Sequence, residues 1–230
     1  MTNSTTGSGS RRRVPTLVAV TTAVLLSVGL LGACDSTPQM MDHSQMGSRT
    51  PSQVVLYKDM QTLWQQHMEW TYAAVAAIAT DAPNVPETAD RLMKNQEDIG
   101  NAIKPFYGED AGNALTVLLK AHISGAVDIL VAAKAGDSAA QDAAVTAEYA
   151  NAKEIGDFLS AANPTNWSEA SMEEMMKGHI DQTLVYATDL LSGRYADAIT
   201  NYGVAEAHMV DMGDMLSSGI IAQFPTKFDN

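Results

Sequence analysis

Four histidines, His67, His122, His179 and His208, stand far apart in a chain of 230 residues. Each falls near the middle of a different long helical pattern. A neutral imidazole is a good ligand for copper, zinc or iron, and the core of a helical bundle is a usual place for a metal site. In an antiparallel bundle of similar helices, mid-helix residues share one layer. Counting outward from Gly193, His179 lies 14 residues before the turn and His208 lies 15 after it. Their heights should then differ by about 1.5 Å, one residue's rise. Turns near Gly136-Asp137 and Pro164-Thr165 put His122 level with Asn151, and Asn151 level with His179.

Facing follows from the apolar stripes. His67 sits in Leu56, Met60, Leu63, His67, Thr71, Ala74, Ile78; His122 sits in Leu115, Leu118, His122, Ala126, Ile129, Ala133. His179 sits among Met172, Met175, Met176, Thr183, Tyr186 and Leu190. All three have core-facing spacing. His208 is ambiguous because Met209 and Met212 compete for the inward face, so three imidazoles are expected inward and His208 is the candidate fourth. The plain alternative is a buried layer of hydrogen-bonded histidines and water. Met175 and Met176 lie opposite Met209 and Met212 across the same turn, and thioethers beside imidazoles would suit Cu(I). Methionine also packs irregular cores well, so these four are the weaker metal candidates. Glu69, Asp181, Glu206 and Asp211 lie close to histidines in sequence. A di-iron carboxylate bundle needs inward Glu-x-x-His pairs, which do not occur near these histidines, so the acids are expected on solvated faces.

Elements that could carry such a layer are legible from residue 54 onward. Alanine is abundant, β-branched runs are short and prolines fall at breaks. The pattern predicts helices over 54–80, a shorter one over 87–104, then 110–135, 138–162, a helix capped by Asn166 or Ser168 and running to 192, and 195–222. Glycines inside these spans, such as Gly125, Gly178 and Gly203, weaken the pattern locally. Long helices with short connections make antiparallel neighbours. The expected fold is therefore all-α, an up-down antiparallel bundle of about five long helices plus one shorter helix, over residues 54–230. No repeat of 20 to 50 residues is visible in the sequence.

The N-terminal segment has a different character. Arg11, Arg12 and Arg13 precede an apolar stretch, Val14 to Leu31, which ends in Leu31-Gly32-Ala33-Cys34. A small residue followed by the chain's single cysteine resembles a bacterial lipobox. The resemblance implies a signal peptide over residues 1–33, lipidation of Cys34, and anchoring on the outer face of the cell membrane. An uncleaved membrane helix is the alternative. The adjacent arginines also point to twin-arginine export, although Pro15 stands where that pathway's motif prefers apolar side chains. Residues 34–53 read as a tether. Within it, Met40-Met41-Asp42-His43-Ser44-Gln45-Met46 resembles the Met/His motifs of exported copper-resistance proteins, although those usually repeat the motif. The resemblance implies that Met41, His43 and Met46 wrap one copper ion, and soft thioethers with imidazole suit Cu(I).

Composition excludes several classes. At 46 % hydrophobic and 18 % charged residues, the bulk of the chain is not disordered. Removing the signal takes three of the 14 basic residues and none of the 27 acidic ones, which leaves the mature chain at −16. That charge speaks against a nucleic-acid partner and favours cations. One cysteine excludes Cys-x-x-Cys-His haem attachment. No nucleophile elbow, phosphate loop or zinc-protease motif occurs.

The body also resembles exported, all-helical bacterial proteins of uncharacterised activity, through His67 and Trp70, Asp98-Ile99-Gly100-Asn101-Ala102 with Tyr107-Gly108, His122, Gly219-Ile220, and Gln223-Phe224-Pro225. That resemblance implies a fold and no activity. The expectation is an exported, lipid-anchored, metal-binding protein, copper first and zinc or iron next, in which binding is favoured over catalysis. Two alternatives stay open: an interaction lipoprotein without metal, and a di-metal or haem oxidoreductase. A protein partner is not legible.

Overall fold

The computed structural model describes residues 49–229. Cys34, Met41, His43 and Met46 lie outside them, as does the expected signal peptide. Six helices form: α1 (Pro51–Ala79), α2 (Val85–Tyr107), α3 (Glu109–Ala135), α4 (Ser138–Ala162), α5 (Glu169–Leu191) and α6 (Tyr195–Gln223), followed by a 3₁₀ turn, Pro225–Phe228. No strand occurs among the described residues. The all-α bundle is as the sequence predicts.

Two boundaries differ by three residues, each for a local reason. α1 starts at Pro51, ahead of the expected 54, because Thr50 and Gln53 cap it reciprocally: Gln53 N donates to Thr50 Oγ1 at 3.3 Å, and Thr50 N donates to Gln53 Oε1 at 3.1 Å. The Thr50 hydroxyl also donates to the Phe228 carbonyl at 2.9 Å, tying the start of the bundle to its end. α2 runs through Pro105 to Tyr107 and reaches 23 residues, the length of α5. A proline in the last turn costs one backbone bond, and the turn is held by Phe106 stacked on Phe228 and by Tyr107 against Trp167.

Each helix packs against its neighbours in sequence, and α6 returns to α1, so the six close into a ring. α1 also touches α3 and α5 across the middle. The odd-numbered helices are therefore the inner ones. By composition α3 is apolar and long enough to cross a membrane; here it carries His122 into the bundle.

The ring is built from three helical hairpins that repeat at 55 and 57 residues. His67, His122 and His179 open the comparison. Fourteen residues after each comes the chain reversal, at Asp81, Gly136 and Gly193, all with positive φ (54°, 70° and 72°). Two of the three are glycine, which adopts that conformation without steric cost. On the returning helix, Asn95 Nδ2 donates to Leu63 O at 3.0 Å, Asn151 Nδ2 to Leu118 O at 3.2 Å, and His208 Nε2 to Met175 O at 2.9 Å. Each acceptor carbonyl lies four residues before the hairpin's own inner histidine. Five residues beyond each clip stands a glycine, Gly100, Gly156 or Gly213, where the hairpin meets the next inner helix. A Cβ at Gly100 would stand 2.6 Å from the Gly112 carbonyl, one at Gly156 3.1 Å from the Glu173 amide, and one at Gly213 3.1 Å from Trp64 Cδ1. Buried side chains follow the same register: Met60, Leu115 and Met172; Trp64, Leu119 and Met176; Met68, Ile123 and Ile180.

Candidate metal centre

The three inner helices bring His67, His122 and His179 together on the middle of the bundle. All three side chains are buried. One ring nitrogen from each lies within 4.8 Å of the others, and the ring centroids are 5.3, 5.4 and 6.2 Å apart. Imidazole nitrogens about 2.0–2.1 Å from a tetrahedral ion stand about 3.3 Å from one another. His67 Nε2 and His179 Nε2 are already 3.4 Å apart. The triad can hold a metal ion.

Burial sets its electrostatics. Desolvation first, then the charge of His122, pushes His67 down to about 3, against a smaller upward effect of Gln96. Burial, followed by the neighbouring histidines, holds His179 well below its usual value. Both rings are neutral at physiological pH, the form in which imidazole binds metals. Gln96 Nε2 lies 3.3 Å from His67 Nδ1 and also donates to Leu92 O at 2.9 Å, while Gln96 Oε1 has no partner. A rotation of this amide would offer Oε1 to an Nδ1–H, the tautomer in which His67 Nε2 is free to ligate.

Glu148 is the residue that sequence reasoning missed. From α4 its Oε1 lies 2.7 Å from His122 Nδ1, with both side chains buried. The contact is close but out of line, so neither atom has a directed hydrogen bond. Glu148 Oε2 occupies a notch over Gly125, where any Cβ would collide with it. In the hairpin repeat, Glu148 stands where the other two have Leu92 and Ala205, and Gly125 where they have Trp70 and Gln182. The two departures fit each other. A carboxylate on the far nitrogen of a ligating histidine fixes its tautomer and orientation.

His208 does not join the triad. It is half-buried, clips α6 to α5 through Met175 O, and packs its ring over Gly178, where a Cβ would stand 3.2 Å from His208 Cε1. The expectation of a fourth inward imidazole is corrected on this point. Asn95 and Asn151 do the same work in the other hairpins. His208→Asn should therefore keep the clip, holding stability and metal affinity near wild type. His208→Leu should lose about 1 kcal/mol in urea unfolding while leaving metal affinity unchanged.

Met176, Met209 and Met212 are buried in the core and Met175 packs against it, and none lines the triad's cavity. Glu69 and Asp211 are exposed, Glu206 is half-buried, and Asp181 pairs with Lys177 and Tyr149. A second acidic group, Asp157, Glu169 and Glu173, is gathered around the ammonium of Lys153.

No family model, curated protein or solved structure matches this chain. The functional reading rests on the triad itself.

Proposed function

We propose that this protein is an exported, lipid-anchored metal-binding protein that holds one copper ion on His67, His122 and His179. The observation that carries the reading is the buried triad, with its ligand nitrogens within 4.8 Å. Imidazole serves copper in either oxidation state, and nitrogen sites bind copper most tightly among the divalent first-row ions. Burial favours the monovalent form, because a smaller charge costs less to desolvate. Met41, His43 and Met46 of the tether would capture Cu(I) and pass it to the bundle. Cys34 would hold the protein at the membrane's outer face.

Copper titration of the mature protein, followed by competition and thermal unfolding, tests this. One ion per bundle is expected, and it should persist when Met41, His43 and Met46 are replaced by serine. At free metal 100-fold above Kd, the fold should gain about 2.7 kcal/mol. Glu148→Gln should weaken binding about 10- to 100-fold. Uptake of zinc or iron in preference to copper would correct the metal and keep the site. No stabilisation by any of the three would overturn the reading and leave a non-metal interaction protein.

A further inference from the structure

The triad forms the floor of a cavity of about 40 Å³. Its walls come mainly from the half of each inner helix that follows the histidine, with Leu92 of α2 and Glu148 of α4 beside them. Val75, Leu130 and Ala187 stand at one level, eight residues beyond their histidines, and Thr71, Ala126 and Thr183 at another, four residues beyond. On the opposite side of the triad, Trp64, Leu119 and Met176 are buried against one another's helices and close the bundle. A tetrahedral ion with three protein ligands keeps one open position. Here that position has only the cavity to face.

We propose that this cavity is a ligand seat of its own: it takes one neutral diatomic molecule, bound to the open position of a Cu(I) ion on the triad. The inference rests on the metal reading above. Size comes first. A water-sized probe needs about 10–15 Å³, so the space beside the triad seats a molecule of two or three atoms. Wall chemistry comes second. Beyond the histidines the lining is aliphatic apart from Thr71, Thr183 and Glu148. The Thr71 hydroxyl is committed to the His67 carbonyl at 2.6 Å, and Glu148 Oε1 lies beside His122 Nδ1 while its Oε2 sits in the notch over Gly125. The Thr183 hydroxyl is buried and has no partner, so it is the one neutral donor on the wall that can turn to a guest. A mostly aliphatic wall accepts a small neutral guest, whereas an anion would lose its hydration against a single hydroxyl, Thr183, and beside the Glu148 carboxylate.

Carbon monoxide is the probe, because it binds Cu(I) without redox chemistry. The mature protein, loaded with Cu(I) under anaerobic conditions, should take up one CO per copper and give a single narrow C–O stretching band in the infrared. Leu130→Phe and Ala126→Leu, two independent ways of filling the cavity from its wall, should weaken CO uptake at least 10-fold while copper affinity stays within about 3-fold. Uptake of xenon by the metal-free protein, read from shifts at the Ile123 and Ile129 methyls, should be lost in the same variants. Copper bound without CO uptake would overturn this inference alone, as would CO uptake insensitive to whichever filling variant folds. Absence of copper from the triad would overturn the metal reading and this inference together.

Discussion

Replacing His122 by leucine should destabilise the metal-free protein by about 3 kcal/mol, whereas His67→Leu and His179→Leu should leave it near wild type or more stable. The difference lies in what each imidazole leaves behind. His67 and His179 are neutral rings that burial first, and then the neighbouring histidines, hold far from protonation. An aliphatic side chain of similar volume removes a desolvated polar group and fills the same space. His122 instead faces the buried Glu148 at 2.7 Å. Its loss strands an acid whose remaining surroundings are the Gly125 notch and the apolar cavity, and breaking such a pair from one side costs about 3–5 kcal/mol. The double variant His122→Leu/Glu148→Leu should recover most of that loss, because Leu92 already fills the matching position of the first hairpin. All three single variants should lose the stabilisation by copper. Combining them should add nothing further to the loss of binding, since ligands of one site act as a unit. Urea unfolding with and without Cu(I) measures both effects. Retention of the full copper shift in any one of the three would remove that residue from the site, and a neutral His122→Leu would remove Glu148 from its role.

Much of this was legible in the sequence, and the parts that were not have physical reasons. Proline, glycine and capping residues marked the helices. Counting from the turns placed His122 and His179 in one layer, because height along a helix is set by residue number alone. The same counting could not tell inner helices from outer ones. His208 has the right height on α6, but its ring lies over Gly178 while Met209 and Met212 take the inward face. Glu148 lies in an alanine-rich stretch that resembles a solvated helix. Its burial depends on Gly125 on the preceding helix, whose lack of a side chain reads in sequence only as a weak point. The hairpin repeat was hidden because it keeps roles more than identities. A clip can be asparagine or histidine, and a reversal can be glycine or aspartate, provided the donor or the backbone conformation is supplied. Met41, His43, Met46 and Cys34 lie outside the described residues, so the copper tether and the lipid anchor remain proposals that stand on their motifs.

Acid should unfold the metal-free protein earlier than its carboxylates alone would require. His67 sits at about 3 in the folded state and near 6.5 in an unfolded chain. Above pH 6.5 neither state binds a proton at this ring, and the residue contributes no pH dependence. Below pH 6.5 the unfolded chain takes up a proton that the folded one refuses, so stability falls as pH falls. The slope approaches about 1.4 kcal/mol per pH unit for each such histidine. It continues until pH nears 3, where the folded ring also protonates. His179 acts in the same direction. Burial sets these values first; the neighbouring groups that add to it are His122 around His67, against the opposing Gln96, and His67, His122 and His208 around His179. Glu97, Asp181 and Asp189, whose carboxyls are lowered by Lys120, by Lys177, and by Asn201 with Arg194 respectively, also lose stabilising partnerships in acid. Their loss begins only as pH enters the carboxylate range, near 4. The window from pH 6.5 to 5 therefore isolates the histidines. Urea unfolding across it should show stability dropping by about 2–4 kcal/mol in the metal-free protein, and the drop should shrink by roughly half in either His67→Leu or His179→Leu. Because the folded rings stay neutral throughout, protons do not compete with metal at these two ligands over the same window. The stability that Cu(I) adds at a fixed free concentration should accordingly stay level across the window, so that the metal-bound and metal-free curves run parallel. A metal-free stability that is level from pH 6.5 to 5 would mean that His67 and His179 protonate in place, and the buried neutral triad would have to be abandoned.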